Sequence, residues 1–277
     1  MPLTPTGDIV RSAAAAGRGV GAFNVIQLEH ATALVAGAEA AGAPVILQVS
    51  ENAVKYHGTL EPIALATLAV ARRGSVPVAV HLDHATKVEL VHEAAELGFG
   101  SVMFDGSALP YDDNVALTRE VVSFCHERGV FVEAELGEVG GKDGVHAPGA
   151  RTDPDEAEAF VQATGIDALA IAVGTSHAML EKTAALDLDL ITRHRETVSV
   201  PLVLHGSSGV PDEDLTRAVK AGMTKVNIAT ALNQAFTGAV RAYLDANPKV
   251  VDTRKYLAPG RDAVATEVTR LLGVLGA

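Results

Sequence analysis

The chain has 277 residues, 48% of them apolar, with a single cysteine and a formal net charge of −12. That composition supplies a sizeable core and excludes a disordered, fibrous or disulfide-stapled chain. It carries no basic stripe with interleaved aromatic residues, so a nucleic-acid partner is excluded too, because phosphate-backbone binding needs clustered Lys and Arg. The first residues lack a charged start followed by an apolar core, and no segment approaches the ~18 uninterrupted apolar residues of a membrane span. The expectation is a soluble cytoplasmic protein with no membrane partner.

In chain order, short apolar runs of strand type alternate with stretches of helical period. Strands are expected at 20–25, 44–50, 77–84, 101–107, 130–138, 168–177, 201–209 and 224–230. Helices are expected at 28–41, where Leu28, Leu34, Val35 and Ala38 recur on one face, and at 86–97 and 114–128. Another is expected at 212–221, opened after Pro211 and closed by Gly222. Cys125 falls on the apolar side of its helix and is expected in the core. Most strands are near-continuous apolar runs, as parallel strands covered on both faces are. Eight βα units without a linker predict an α/β fold, a (β/α)8 TIM barrel. One domain spanning 1–277, with a C-terminal helical extension, is expected. A doubly wound open sheet, the other topology weighed, leaves the polar strand ends unexplained.

In such a barrel the active site lies at the C-terminal ends of the strands. Those ends carry Asn24, Ser50, Asp83, His84, Asp105, Glu135, His177, His205, Asn227 and Thr230. His84, His177 and His205, from the third, sixth and seventh strands, can converge over the mouth. Three imidazoles with one open position form a common catalytic Zn²⁺ set. The plainer reading has each histidine bonding a loop carbonyl, but three together beside carboxylates favour the metal. Side chains alternate along a strand, so Asp83 and His84 reach the same mouth only if the strand ends or bulges by His84. His81 shares the parity of Asp83 and is expected inside the barrel, supporting a ligand. Asp105 and Glu135 either hold a second cation or pair with Lys225. His92, His126 and His194 are expected to face solvent from helices. The stretches HGSSG (205–209) and NIAT (227–230) follow the strands after which this fold builds phosphate sites from glycine turns and a helix N-terminus, which implies a phosphorylated ligand.

The motifs GAFNV (21–25), HLDHA (81–85), FDGS (104–107), EAELGEVGG (133–141), GTSH (174–177), LHGSSG (204–209), KVNIAT (225–230) and RKYLAPGR (254–261) occur in that order. Together they resemble the class II, metal-dependent ketose-bisphosphate aldolases. The resemblance implies that His84, His177 and His205 bind Zn²⁺, that Asp83 moves the proton of the substrate C4 hydroxyl, and that Asp105 and Glu135 line a site for a second or monovalent cation. It further implies that Gly206, Ser208, Asn227 and Thr230 cradle the dihydroxyacetone-phosphate end, with Asn24 and Ser50 along the sugar chain. Arg254 would reach the distal phosphate, often from a neighbouring subunit, so a homodimer or homotetramer is implied.

Two stretches depart from the family pattern. Relatives place a Glu in the loop after the glycine pair, whereas this chain reads GGKDGVHAPG, leaving Asp143 as the nearest second acid/base, with Lys142 or His146 as substitutes. The metal histidine of relatives is followed by Gly and a nearby Lys; here the run HAMLEK leaves Ala178, through its N–H, and Lys182 as phosphate contacts. The activity implied is zinc-dependent cleavage of a ketose 1,6-bisphosphate, fructose 1,6-bisphosphate foremost, to dihydroxyacetone phosphate and glyceraldehyde 3-phosphate. Tagatose 1,6-bisphosphate and 6-phospho-5-dehydro-2-deoxygluconate are the alternatives within the class. Outside it stand a metal-dependent hydrolase and a non-catalytic phosphosugar-binding barrel.

Overall fold

The computed structural model describes residues 3–136, 151–175 and 181–277. Its strands are β1 (Val20–Asn24), β2 (Val45–Ser50), β3 (Val78–Ala85), β4 (Ser101–Phe104), β5 (Phe131–Leu136), β6 (Ala168–Ile171), β7 (Leu202–Leu204) and β8 (Met223–Ile228). They run parallel and close into a barrel in chain order, β1 pairing with both β2 and β8. The helices that cover it are α1 (Thr6–Ala16), α2 (Leu28–Ala41), α3 (Glu51–His57), α4 (Glu61–Ala71), α5 (Val88–Leu97), α6 (Tyr111–His126), α7 (Pro154–Thr164), α8 (Leu188–Thr197), α9 (Asp212–Ala221), α10 (Thr230–Ala246) and α11 (Thr253–Leu275). The (β/α)8 barrel read from the alternation is therefore the fold of the chain. Among the described residues no helix is long and apolar enough to cross a membrane.

Strands β4, β6 and β7 stop earlier than expected, and the polar residues after them explain why. Asp105 accepts hydrogen bonds from the N–H and hydroxyl of Ser107, folding DGS into a turn. Gly174 and Gly206 take positive φ, 108° and 66°, which ends the extended backbone. The apolar layer between sheet and helices holds Leu34, Leu68, Phe99, Phe160 and Cys125, all buried. Inside the barrel, α1 closes the N-terminal end, its Ile9, Val10 and Ala13 packing with Ile46, Ala79, Met103 and Phe131. Helix α11 runs along α2 and α10. Its approach to α2 needs Gly37, where a Cβ would sit 2.6 Å from Ala265 O.

Above the apolar floor, the inward positions of β3, β4, β5 and β8 hold His81, Ser101, Glu133 and Lys225, each fully buried. Isolated charges there would be very costly, so the pairs these residues make decide the architecture of the rim.

Candidate active site

The site begins at a distortion in β3. His84 has φ 51°, the one non-glycine residue with positive φ among the described residues, and the β3–β4 register shifts between Leu82 and Ala85. Of the two ways the parity of HLDHA allowed, an end or a bulge, the strand takes the bulge. It turns both Asp83 and His84 to the cavity at the barrel mouth. A left-handed backbone at a side chain of this size costs about 1–2 kcal/mol. Asp105 holds the ring in place, its Oδ2 accepting from His84 Nδ1–H at 2.8 Å.

That bond fixes the tautomer. With Nδ1 protonated toward Asp105, His84 Nε2 carries a lone pair. His205 is fixed the opposite way round: its Nε2–H donates to Glu133 Oε1 at 2.9 Å, which leaves the lone pair on Nδ1. The two lone-pair nitrogens, His84 Nε2 and His205 Nδ1, face each other at 2.9 Å. Glu135 Oε2 lies 3.5 Å from the same His205 Nδ1. Ligand atoms of His84, Glu135 and His205 lie within 4.8 Å of one another, close enough to share one metal ion. Two neutral imidazoles and a carboxylate suit a borderline divalent ion such as Zn²⁺.

Behind the donors, Glu133 is anchored by Lys225 Nζ at 2.7 Å, and His81 Nε2 approaches it to 3.9 Å. His81 Nδ1 bonds Ser101 Oγ at 2.8 Å, inside the barrel as expected. Burial works against the Glu133 carboxylate, but Lys225 and the bond from His205 outweigh it and hold the group below the usual carboxylate range. Burial and then Lys225 push His81 down to about 3. Burial and then His84 push His205 down to about 4. Asp83 is raised by burial and lowered by His84, His205, Lys225 and His81; the lowering prevails and brings it to about 2, so it is a base at neutral pH.

The cavity at the mouth has a volume of about 580 Å³. Asn24, Ser50, Asp83, His84, Gly206, Ser208, Asn227 and Thr230 all line it. Asn227 Nδ2 donates to Asp83 Oδ1 at 3.2 Å, and Gln48 Nε2 donates to Asn24 Oδ1 at 2.7 Å. Among the described residues, Asn227 Oδ1 and Gln48 Oε1 are buried acceptors without a partner. On the far side, Gly206 opens a single 3₁₀ turn, Ser207–Gly209, and Ser208 Oγ accepts from Ala231 N at 3.3 Å at the start of α10. Ala229 leaves that helix without a side-chain cap, so the end of α10 presents N–H groups to the cavity.

Other expected residues lie elsewhere. Lys182 pairs with Asp212 at the start of α9, which Arg270 also engages, and does not line the cavity. Arg254 is exposed and bonds Asp252, with Nη2 2.8 Å from Oδ2, outside the cavity of its own chain. Asp105 and Glu135 do not share Lys225: Asp105 backs His84, Glu135 joins the donor cluster, and Lys225 takes Glu133 instead, because Glu133 has the inward parity and lies deeper. His126 is exposed as expected, whereas His92 is half-buried on Phe124 and His194 is fully buried, bonded to Thr152 O at 3.0 Å. Asp143, His177 and Ala178 lie outside the described residues, as do Lys142 and His146. Residues that strand-end reading missed are Glu133, Gln48, Glu51, Lys55 and Thr86. The alternation EAE in β5 and the pair Gln48 and Ser50 in β2 were the available signals.

The fold and this rim define the class: a (β/α)8 barrel whose polar site sits at the C-terminal face of its strands. The chain belongs to the class-II fructose-bisphosphate aldolase family, whose sequence profile matches residues 4–277. The YdjI aldolase of Escherichia coli K12 is 33% identical, with a TM-score of 0.85 over 99% of this chain and 97% of that one. A candidate fructose-1,6-bisphosphate aldolase from Coccidioides immitis is 30% identical, with a TM-score of 0.86 and coverage of 99% and 97%. The fructose-bisphosphate aldolase of Campylobacter jejuni, 23% identical with a TM-score of 0.79 over 99% and 96%, shares the fold.

Proposed function

We propose that the chain is a zinc-dependent aldolase that reversibly cleaves a ketose 1,6-bisphosphate, fructose 1,6-bisphosphate first, to dihydroxyacetone phosphate and glyceraldehyde 3-phosphate. The observation that carries this reading is the pair of opposed imidazole lone pairs of His84 and His205, with Glu135 beside them and Asp83 on the cavity side. His84 and His205 hold the ion, and His177 completes the set on the family resemblance. Once bound, Zn²⁺ supplies a Lewis acid opposite the negative charge that develops when the C3–C4 bond breaks.

The remaining work falls to the chain's own groups. Asp83, ionised and steadied by Asn227, takes the proton from the C4 hydroxyl in cleavage and returns it in condensation. Asn227 Oδ1 and Gln48 Oε1, without a partner among the described residues, accept from substrate hydroxyls. The Gly206–Ser208 turn and the N–H groups at Thr230 receive the phosphate of the dihydroxyacetone-phosphate half. Asp143 is the proposed second acid/base, and a second cation near Asp105 and Glu135 belongs to the same reading.

The test is a coupled cleavage assay on fructose and tagatose 1,6-bisphosphates, before and after EDTA and with zinc restored. Chelator-sensitive, zinc-restored turnover of either ketose is expected. Chelator-resistant turnover would refute the metal, and a zinc-loaded protein that cleaves neither would refute the substrate class.

A further inference from the structure

The wall of the cavity on the β2–β3 side carries a cation that the reading above leaves unused. Helix α3 is short but pinned along its length. Ser50 Oγ accepts from Ala53 N at 3.2 Å, Glu51 Oε2 accepts from Thr86 N at 2.7 Å, and His57 Nε2–H donates to Ile26 O at 2.6 Å. From this fixed wall Lys55 reaches the cavity, its Nζ 3.0 Å from Glu51 Oε1. Glu51 is buried and also accepts from the Thr86 hydroxyl, so its charge is shared. An ammonium group has further donors beyond the one on Glu51. Among the described residues that line the cavity, Lys55 is the only Lys or Arg, set against the carboxylates of Glu51 and Asp83. The β7–β8 side can hold one anionic group on neutral N–H donors. A second anionic group, at the other end of an extended ligand, meets Lys55, the one Lys or Arg that the described residues of this chain set on the cavity wall.

We infer that Lys55 is a specificity-determining residue that binds a second anionic group, a phosphate or a carboxylate, at the substrate end remote from the Gly206–Ser208 turn. The inference rests on the aldolase reading only for the direction in which the substrate lies. Its test needs no turnover, so a failure of the aldolase reading would appear separately, as absent cleavage by the wild type. Calorimetric titrations of the zinc-loaded full chain would compare glucitol 1,6-bisphosphate, glucitol 6-phosphate and gluconate 6-phosphate, which differ only in a phosphate, a neutral or a carboxylate second end. Lys55→Gln should weaken the bisphosphate by about tenfold and leave glucitol 6-phosphate within about twofold, and Lys55→Arg should recover most of the loss. A matching loss for gluconate 6-phosphate would assign Lys55 to anions in general; a loss confined to one of the two ligands with an anionic group at each end would assign it to that group. Equal weakening of all three ligands, no weakening of any, or a wild type that binds the bisphosphate no better than glucitol 6-phosphate would each overturn the inference.

Discussion

Replacing Glu133 by Gln separates two jobs that one buried carboxylate performs. The substitution keeps the volume and an acceptor for His205 Nε2–H, but removes the charge 2.7 Å from Lys225 Nζ, where both side chains are essentially inaccessible to solvent. Breaking one partner of a buried pair costs about 3–5 kcal/mol, because the other charge stays in place. At this chain length 1 kcal/mol shifts Tm by roughly 2–4 °C, so the metal-free variant should melt roughly 6–20 °C lower. Zinc affinity should fall as well, by about 10–100-fold, since a neutral amide raises the basicity of the His205 ring less than the carboxylate does. The double variant Glu133→Gln with Lys225→Met distinguishes the two effects. It should regain most of the stability, having no stranded charge, yet keep the weakened zinc binding. Differential scanning calorimetry of metal-free protein and a zinc titration against a competing chelator read the two quantities independently. A Glu133→Gln protein that melts and binds zinc like the wild type would refute the reasoning.

Asp83→Asn should retain zinc while lowering kcat by about 10²–10⁴-fold; turnover within about tenfold of the wild type in the coupled assay would remove Asp83 from proton transfer. At His84, the positive φ predicts that Asn is tolerated in the metal-free fold, whereas Val costs about 1–2 kcal/mol more. Urea denaturation of the two metal-free variants checks this, and equal midpoints would dismiss the backbone constraint. Stability should also fall in mild acid. Burial lowers the pKa of His30, His81 and His194 in the fold, His81 to about 3, so below the unfolded value near 6.5 the unfolded chain binds more protons. The metal-free protein should be fully stable above about pH 6.5 and lose up to about 1.4 kcal/mol per ring for each pH unit below it. Melting temperatures that stay level between about pH 7 and pH 5 would contradict this.

Much of the site could be read from one dimension because it depends on local rules. Eight alternating units dictate the barrel, and the period-2 alternation of β3 called for an end or a bulge by His84, of which the structure shows the bulge. What could not be read were partnerships made by closure. Glu133 sits two residues before the strand end that was read, and its partner Lys225 comes from a strand that becomes its neighbour across the barrel only in three dimensions. Lys182 and Arg254 were assigned by motif, but a long side chain goes to the nearest carboxylate, Asp212 for one and Asp252 for the other. His194 was placed on the surface with the other histidines of helical stretches. Yet Leu190, Ile191 and His194 form one buried stripe of α8, a spacing that the helical period would have revealed.

The circular pairing of β1 with β8 also sets a timetable. A ribosome delivers His84 early, Glu135 midway and His205 late, while the Lys225 that steadies the arrangement arrives on the last strand to be made. No partly made chain therefore owns the full donor set in its final geometry, and an ion captured early would have only an unshaped grip. The barrel must complete itself on its own hydrophobic layers, including the burial of a lysine and a glutamate, before the ion has a place to go. On the zinc reading proposed above, chain made without the ion should reach the complete barrel, and zinc supplied afterwards should restore turnover without refolding.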